Sequence, residues 1–176
     1  MWYCHPGLTY HRFGQHVNPI CRWSTSRLQA ILFDIDGTLS DVSHRRHFIE
    51  NGNQDWVAFF AAIPEDDPIE PIVELARLLI RSGDKAVLLV TGRPERTRSD
   101  SVEWLRRHGV EIDFQSRLLM RKDGDGREDH VVKREMLDEI RNAGFEPVLV
   151  FDDRQSVVDM WRSQGIRVAQ MATGDF

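Results

Sequence analysis

The sequence predicts an α/β fold in which a mainly parallel β-sheet is covered by helices on both faces. Three observations support this prediction. From residue 29 onward, short apolar runs alternate with amphipathic segments, the helical segments are followed by glycines, and polar residues follow three of the apolar runs. Strands that alternate with helices form parallel sheets, because each helical crossover returns the next strand in the same direction.

The elements can be placed in order from their own residues. Apolar runs predict five strands, at 29–33, 86–90, 117–120, 147–151 and 166–171. Apolar residues at helical spacing predict four helices, at 69–81, 99–108, 129–142 and 155–163. The segment at about 41–68 falls outside this alternation, and we predict that it forms a small helical cap over the strand ends.

The composition is typical of a globular chain with one folded domain. Apolar residues make up 41% and charged residues 29% of the 176 residues. No stretch approaches the roughly 18 apolar residues that span a membrane, and no secretory signal pattern is visible. Two cysteines, Cys4 and Cys21, do not make a disulfide framework, so we expect a reducing, cytoplasmic location and no membrane partner.

We divide the chain into an N-terminal extension of unknown role, residues 1–28, and one domain, residues 29–176. The extension contains Cys4, Cys21 and several histidines, but their spacing fits no zinc-finger pattern. A tail packed on the domain, or residues read from an upstream start codon, are the alternatives to a zinc site. The net charge of −5 argues against a broad basic face that coats nucleic acid, but it leaves binding of a single strand end open.

Polar residues follow three of the predicted strands at the point where each strand ends. Asp34 and Asp36 follow the first, Thr91-Gly92-Arg93 follows the second, and Asp152-Asp153 follows the fourth. An N-cap for the next helix is the simpler explanation of the last pair. Because ligands bind outside the carboxyl ends of parallel strands, we expect these residues to share one site.

The chemistry of these residue types indicates phosphoryl transfer. Asp34, Asp36, Asp152 and Asp153 would gather four carboxylates, and a hard divalent cation such as Mg²⁺ relieves their repulsion. Lys133 would add a positive charge for a phosphoryl group, and Thr91 a hydroxyl. In this arrangement Asp34 would attack phosphorus, and Asp36 would alternate between acid and base.

Four motifs resemble those of the haloacid dehalogenase (HAD) superfamily of phosphohydrolases: "DIDGT" at 34–38, "VTGR" at 90–93, the lysine at 133 and "FDDR" at 151–154. The segments 124–137 and 152–176 are further similar to the 3′-phosphatase half of phage-type polynucleotide kinase–phosphatases. The resemblance implies a HAD-type, Rossmann-like sheet, with Asp34 as nucleophile and Asp36 as general acid/base. It also implies Asp153 as the direct metal ligand, with Asp152 acting through water, and it matches further functional positions to Arg45, Arg93, Asp129, Lys133 and, more weakly, Arg127. We predict that the residues that bind phosphate or substrate are Thr91, Gly92, Arg93, Lys133, Arg45, Arg127 and Asp129.

The expected activity is Mg²⁺-dependent removal of a 3′-phosphate from a polynucleotide end or a nucleotide. A phosphatase of small metabolites or mononucleotides, and a non-catalytic module that binds nucleic-acid ends, are the alternatives. No G-x-x-x-x-G-K-[S/T] loop occurs, so the sequence does not predict 5′-kinase activity, and a separate kinase or ligase partner is possible. We interpret Trp56, Phe59 and Phe60 as the core of the cap, with a base-stacking platform as the alternative.

Overall fold

The computed structural model describes residues 27–50, 52 and 54–174. The predicted extension 1–28 therefore lies almost entirely outside the described residues, and so do its cysteines and histidines. In the described part of the chain, no helix is both long and apolar enough to cross a membrane.

A parallel five-stranded sheet forms the centre of the fold, as predicted. Its strands lie in the order β5-β4-β1-β6-β7, and every neighbouring pair is parallel. Two further short strands, β2 and β3, form a separate antiparallel pair. The strands of the described residues are β1 (Leu28–Phe33), β2 (Ser40–Asp41), β3 (Asp67–Pro68), β4 (Ala86–Pro94), β5 (Leu118–Arg121), β6 (Phe145–Arg154) and β7 (Arg167–Gly174).

Helices cover both faces of the sheet, because successive strand residues point to opposite faces. Ile31 and Phe33 of β1 pack into a core with the second, third and fourth helices, whereas Ala30 and Leu32 pack into a core with the fifth and sixth. The helices of the described residues are α1 (Trp56–Ala61), α2 (Glu70–Ser82), α3 (Arg98–Arg107), α4 (Phe114–Arg117), α5 (Asp129–Asn142) and α6 (Gln155–Ser163). Short 3₁₀ turns occupy Ser43–Phe48, Ile63–Glu65 and Glu95–Thr97.

Two strands continue through the polar residues that were predicted to follow them. β4 continues through Thr91-Gly92-Arg93 to Pro94, and β6 continues through Asp152-Asp153 to Arg154. The register shifts between Thr91 and Pro94 and between Asp152 and Arg154. These irregularities direct the polar residues toward the site while the backbone remains paired in the sheet. The short helix α4 was not predicted either.

The segment at 41–68 forms the predicted helical cap, with a short antiparallel ribbon that was not predicted. β2 and β3 pair Ser40 with Pro68 and Asp41 with Asp67, so an antiparallel ribbon joins the two ends of the insertion. The 3₁₀ turns and α1 lie between these strands. Two-residue strands carry too little apolar alternation for a sequence pattern to reveal them. The ribbon fixes where the insertion leaves and rejoins the domain.

Candidate active site

The carboxyl ends of β1, β4 and β6 bring the predicted residues to one edge of the sheet. Asp34 directly follows β1, and its backbone N–H donates to the carbonyl of Phe151 in β6 at 2.9 Å. Lys133 lies one turn into α5, where i,i+4 spacing places it on the same helix face as Asp129. The site residues therefore come from neighbouring strands of the sheet and from α5, one of the helices that cover it.

Lys133 lies at the centre of a group of buried carboxylates. Its Nζ lies 3.0 Å from an oxygen of Asp152, 3.1 Å from Asp34 Oδ1 and 3.5 Å from an oxygen of Asp129. Burial alone would lower the pKa of Lys133, but the surrounding carboxylates outweigh it and raise that pKa well above the usual value. The lysine is therefore a permanent positive charge inside an acidic pocket.

Burial and neighbouring negative charges raise the pKa values of two of these carboxyl groups, Asp34 and Asp153. Burial raises the pKa of Asp34 well above its usual range; Lys133 opposes this shift, while Asp152, Asp153 and Asp129 add to it. Burial and then the charge of Asp152 raise the pKa of Asp153 to about 6. The single positive charge of Lys133 does not balance the negative charges of these carboxylates, and a bound cation would balance the remainder.

The residues fit Mg²⁺. Asp34, Asp152 and Asp153 each place an oxygen within 4.8 Å of the others, and hard oxygen ligands are those that Mg²⁺ takes. Asp34 Oδ1 is buried, and although Lys133 Nζ forms an ion pair with it at 3.1 Å, it accepts no hydrogen bond of good geometry from the described residues. A Cβ on Gly37, whose φ is +77°, would overlap the carboxylate of Asp153, so glycine leaves this space open.

The two neighbouring aspartates of β6 differ in how their oxygens are used. Asp152 is fully buried and accepts from Lys133 Nζ at 3.0 Å and from Trp161 Nε1 at 3.2 Å on the same oxygen. Its other oxygen accepts from the backbone N–H of Arg154 at 3.4 Å. Asp153 lines the open cleft. This placement favours Asp153 for direct metal contact and Asp152 for contact through water.

Asp36 was predicted as a further metal ligand, and the structure does not place its side chain there. Among the described residues, the acidic group that could hold a metal consists of Asp34, Asp152 and Asp153. The Asp36 carboxylate instead accepts from Arg93 Nε and from Arg45 Nη2, each at 2.7 Å. Burial would raise the pKa of Asp36, but the two guanidiniums outweigh it and lower that pKa to about 2.

Asp66 contacts the same two arginines as Asp36, and the sequence analysis did not predict it as a site residue. Its side chain is fully buried and accepts from Arg45 Nε at 2.6 Å and from Arg93 Nη2 at 2.7 Å. His44 Nε2 lies 2.9 Å from the same carboxylate. The only sequence signal was indirect, since two arginines predicted near one site need more negative charge than Asp36 supplies.

The predicted phosphate-binding arginines therefore lie behind the cleft. Arg45 and Arg93 are both fully buried, and neither contributes to the cleft wall. Thr91 is also buried, and its hydroxyl accepts from the backbone N–H of Arg93 at 3.2 Å. Gly92 does line the cleft, where a Cβ would come within 2.6 Å of Asp129 Oδ1. Direct phosphate contact by these residues remains a prediction.

Asp129 and Arg127 lie at the other side of the cleft. Asp129 Oδ1 accepts from Arg121 at 2.9 Å, and this arginine also donates to the Gly92 carbonyl at 3.1 Å. Asp129 thus positions the cationic side chains of Arg121 and Lys133 and does not itself bind an anion. Arg127 is half exposed and pairs with Asp125 and Glu135, each at 2.6 Å. Arg121 was missed because its role depends on contacts distant in sequence.

A cleft of about 550 Å³ leads from the acidic pocket to the cap. Asp34, Asp36 and Asp153 line this cleft, and so do Trp56, Phe59 and Phe60 of α1. Ligand pockets usually have volumes of about 300–1,000 Å³, so the cleft has room for more than a phosphate group.

The parallel sheet, the buried aspartates at its edge and the lysine from α5 define a phosphatase of the HAD superfamily. Residues 28–176 match the model of the polynucleotide kinase PNKP phosphatase domain. The chain therefore belongs to this family of HAD phosphatase domains.

Two comparisons with individual proteins agree with the family. A protein of Autographa californica nuclear polyhedrosis virus, named as a bifunctional polynucleotide kinase/RNA ligase, is 24% identical over 135 residues, which are 76% of this chain and 18% of that protein. In a solved Pnkp1/Rnl/Hen1 complex, one chain is 29% identical with a TM-score of 0.70, over 86% of this chain and 48% of that one. The present chain thus spans less than half the length of either relative.

A class C acid phosphatase from Bacillus anthracis shares the fold alone. Its identity is 17% and its TM-score 0.63, over 84% of this chain and 67% of that one.

Proposed function

We propose that the chain is a Mg²⁺-dependent phosphomonoesterase that removes a 3′-phosphate from a polynucleotide end through an aspartyl-phosphate intermediate. The observation that carries the proposal is the contrast between Asp34 and Asp36. The first faces the acidic group and Lys133, and the second is held by two buried arginines. Two carboxylates only one residue apart thus have environments suited to different tasks.

In the first step, a carboxylate oxygen of Asp34 attacks phosphorus and the bond from phosphorus to the 3′ oxygen breaks. Asp36 gives its proton to that oxygen, which leaves as a hydroxyl. In the second step, water attacks the phosphorus, Asp36 takes the proton from the water, and the bond from Asp34 to phosphorus breaks. Asp36 ends the cycle protonated, and the products are the free 3′ hydroxyl and inorganic phosphate.

The acid role of Asp36 requires that substrate binding change its protonation. The two arginines hold its pKa at about 2 in the absence of substrate. A phosphoryl dianion placed beside this carboxylate would repel its charge and raise that pKa. Mg²⁺ bound by Asp34, Asp153 and, through water, Asp152 would offset negative charge on the phosphoryl oxygens. Lys133 would add a fixed charge next to the attacking oxygen.

The nucleophile is tested with Asp34→Asn. We expect a loss of kcat of about 10³-fold or more, because an amide oxygen does not form the intermediate. The fold should persist, because the substitution removes a carboxylate that is surrounded by like charges. Lys133 also retains its ion pairs with Asp129 and Asp152. Asp138→Asn, at an exposed position of α5, is the matched control. Beryllium fluoride should bind the wild-type protein with Mg²⁺ and fail to bind the variant. Retained turnover in Asp34→Asn would refute the mechanism.

The substrate class is tested by comparing a 3′-phosphorylated oligonucleotide, the matching 5′-phosphorylated one and the 3′-mononucleotide. The family membership and the relatives named for polynucleotide chemistry support the first. We expect the highest kcat/KM for the 3′-phosphorylated oligonucleotide. An equal kcat/KM for the mononucleotide would instead favour a phosphatase of small metabolites, which the net charge of −5 also permits.

A strand-sealing partner follows from the proposed reaction. Removal of a 3′-phosphate leaves a 3′ hydroxyl, which is the group that a ligase needs. The solved relative is a chain of a Pnkp1/Rnl/Hen1 complex, and the viral relative is named as an RNA ligase as well as a polynucleotide kinase. We propose that a separate ligase or kinase works on the same strand ends as this chain. The cytoplasmic location expected from the cysteine content belongs to the same proposal.

A further inference from the structure

The aromatic residues of the cap are not all buried, contrary to our interpretation of them as cap core. Phe59 is buried at 5% exposure and lies under the guanidinium of Arg45, whose carbon is 4.2 Å from the ring centroid. Trp56 is 47% exposed, and Phe60 is partly exposed. Both line the cleft that contains Asp34. Phe59 also lines the cleft, but only Trp56 and Phe60 have substantially exposed side chains there.

Trp56 and Phe60 form a continuous aromatic surface. They are four residues apart on α1, and their rings are nearly parallel, with centroids 5.9 Å apart and an interplanar angle of 27°. The buried ring of Phe59 contacts both edge-on, at 5.7 Å from Trp56 and 5.3 Å from Phe60. The exposed rings are therefore held from behind, which presets their orientation before a ligand arrives.

Cationic side chains border this aromatic surface. The Arg96 guanidinium lies 5.5 Å from the centroid of Phe60, and its side chain is 51% exposed. Arg46, which pairs with Glu50, and the exposed Lys122 line the same cleft. A planar apolar surface bordered by cations is complementary to a nucleotide, which combines a base with an anionic backbone.

We propose that Trp56 and Phe60 stack against the base of the terminal nucleotide, the one whose 3′-phosphate is removed. The cleft of about 550 Å³ is continuous from Asp34 and Asp153 to these rings, so one nucleotide can occupy both ends. This inference rests on the proposed 3′-phosphatase function and adds the part of the substrate that is recognised. It makes α1 the element that distinguishes a strand end from a small phosphate ester.

The test compares two short single-stranded oligonucleotides that carry a 3′-phosphate. One ends in an ordinary nucleotide, and the other ends in a tetrahydrofuran residue that lacks the base. The wild-type protein should prefer the first by roughly 5- to 150-fold in kcat/KM, the range expected for one stacked base. Trp56→Ala should remove most of this preference, whereas Trp56→Phe should keep most of it. Val57→Ala is the control, because Val57 is 79% exposed on the same helix and does not line the cleft.

The outcomes separate the inference from the proposed function. Equal kcat/KM of the wild-type protein for both oligonucleotides would overturn stacking, and so would an unchanged preference in Trp56→Ala. Either result leaves 3′-phosphatase activity standing. If the wild-type protein hydrolyses small phosphoesters but neither oligonucleotide, the proposed function itself fails and the inference falls with it. Thermal unfolding of each variant checks that Trp56→Phe, at least, retains the fold of the cap.

Discussion

Replacing Asp66 tests whether the charge balance around Asp36 is understood. Asp66 and Asp36 are the two carboxylates that contact Arg45 and Arg93, and both arginines are fully buried. Two positive and two negative charges therefore cancel within this cluster. Asp66→Asn removes one negative charge and leaves one buried positive charge without compensation. The substitution preserves the shape of the side chain, so packing with Trp104, which donates to the Asp66 backbone carbonyl, should change little.

The expected cost can be worked from this charge count. Removing one partner of a buried ion pair costs about 3–5 kcal/mol, because the remaining charge stays desolvated. The asparagine oxygen can still accept one of the hydrogen bonds from Arg45 or Arg93, which returns about 1 kcal/mol. The net loss is then about 2–4 kcal/mol, which for a domain of this size lowers Tm by roughly 5–15 °C.

Urea unfolding, followed by circular dichroism, measures this loss together with kcat on a 3′-phosphorylated oligonucleotide. We expect kcat to fall by at least about 10-fold, since Arg45 and Arg93 lose the contacts that hold them against Asp36. Asp67→Asn is the matched control, because Asp67 is the next residue along and is exposed. A stability loss below about 1 kcal/mol, as for an exposed ion pair, would refute the argument that Asp66 balances two buried arginines.

Three further predictions concern the acidic pocket. Lys133→Met should lower kcat by about 10²-fold or more and weaken binding of inorganic phosphate, because Lys133 is the cation that contacts both Asp34 and Asp152. Unaltered phosphate affinity in a titration would contradict this. Gly37→Ala should abolish activity, because the added Cβ would overlap the carboxylate of Asp153. Gly165→Ala is the control, since Gly165 has a similar positive φ but open space around it. It should lower stability by only about 1 kcal/mol in a denaturant titration and leave activity intact. Mg²⁺ at about 100 times its Kd should stabilise the wild-type protein by about 2.7 kcal/mol in a thermal-shift assay, and Asp153→Asn should remove most of that gain.

The central sheet could be predicted because its signal is local. Each strand is a short apolar run and each helix an amphipathic one, so the strand-helix alternation alone implies parallel strands and a site at their carboxyl ends. The aspartates follow from that placement, whereas the role of Lys133 was predicted from its motif context. The strand ends were underestimated because Thr91, Arg93, Asp152 and Asp153 are polar, whereas the parallel pairing that extends through them depends on neighbouring strands.

The cap and the partners of Asp36 could not be predicted in the same way. Nothing local distinguishes Asp66 from Asp67, yet the first is buried against two arginines and the second is exposed. Their difference arises from the pairing of β2 with β3, which involves residues more than twenty positions apart. Similarly, the spacing of Trp56, Phe59 and Phe60 places three rings on one short helix but does not say which ring faces solvent.

The position of the two covering helices explains how neighbouring carboxylates acquire different properties. The cations that contact Asp34 and Asp36 lie on opposite sides of the sheet edge. Lys133, beside Asp34, comes from α5 on one face. Arg93 of β4, which donates to Asp36, also donates to the hydroxyl of Ser101 in α3, and α3 covers the other face. Arg45, the second arginine that contacts Asp36, comes from the cap. A change in the cap can therefore alter the protonation of Asp36 without touching the environment of Asp34. If Asp36 is the acid/base group, as we propose, a substrate that displaces cap residues would affect proton transfer rather than nucleophilic attack.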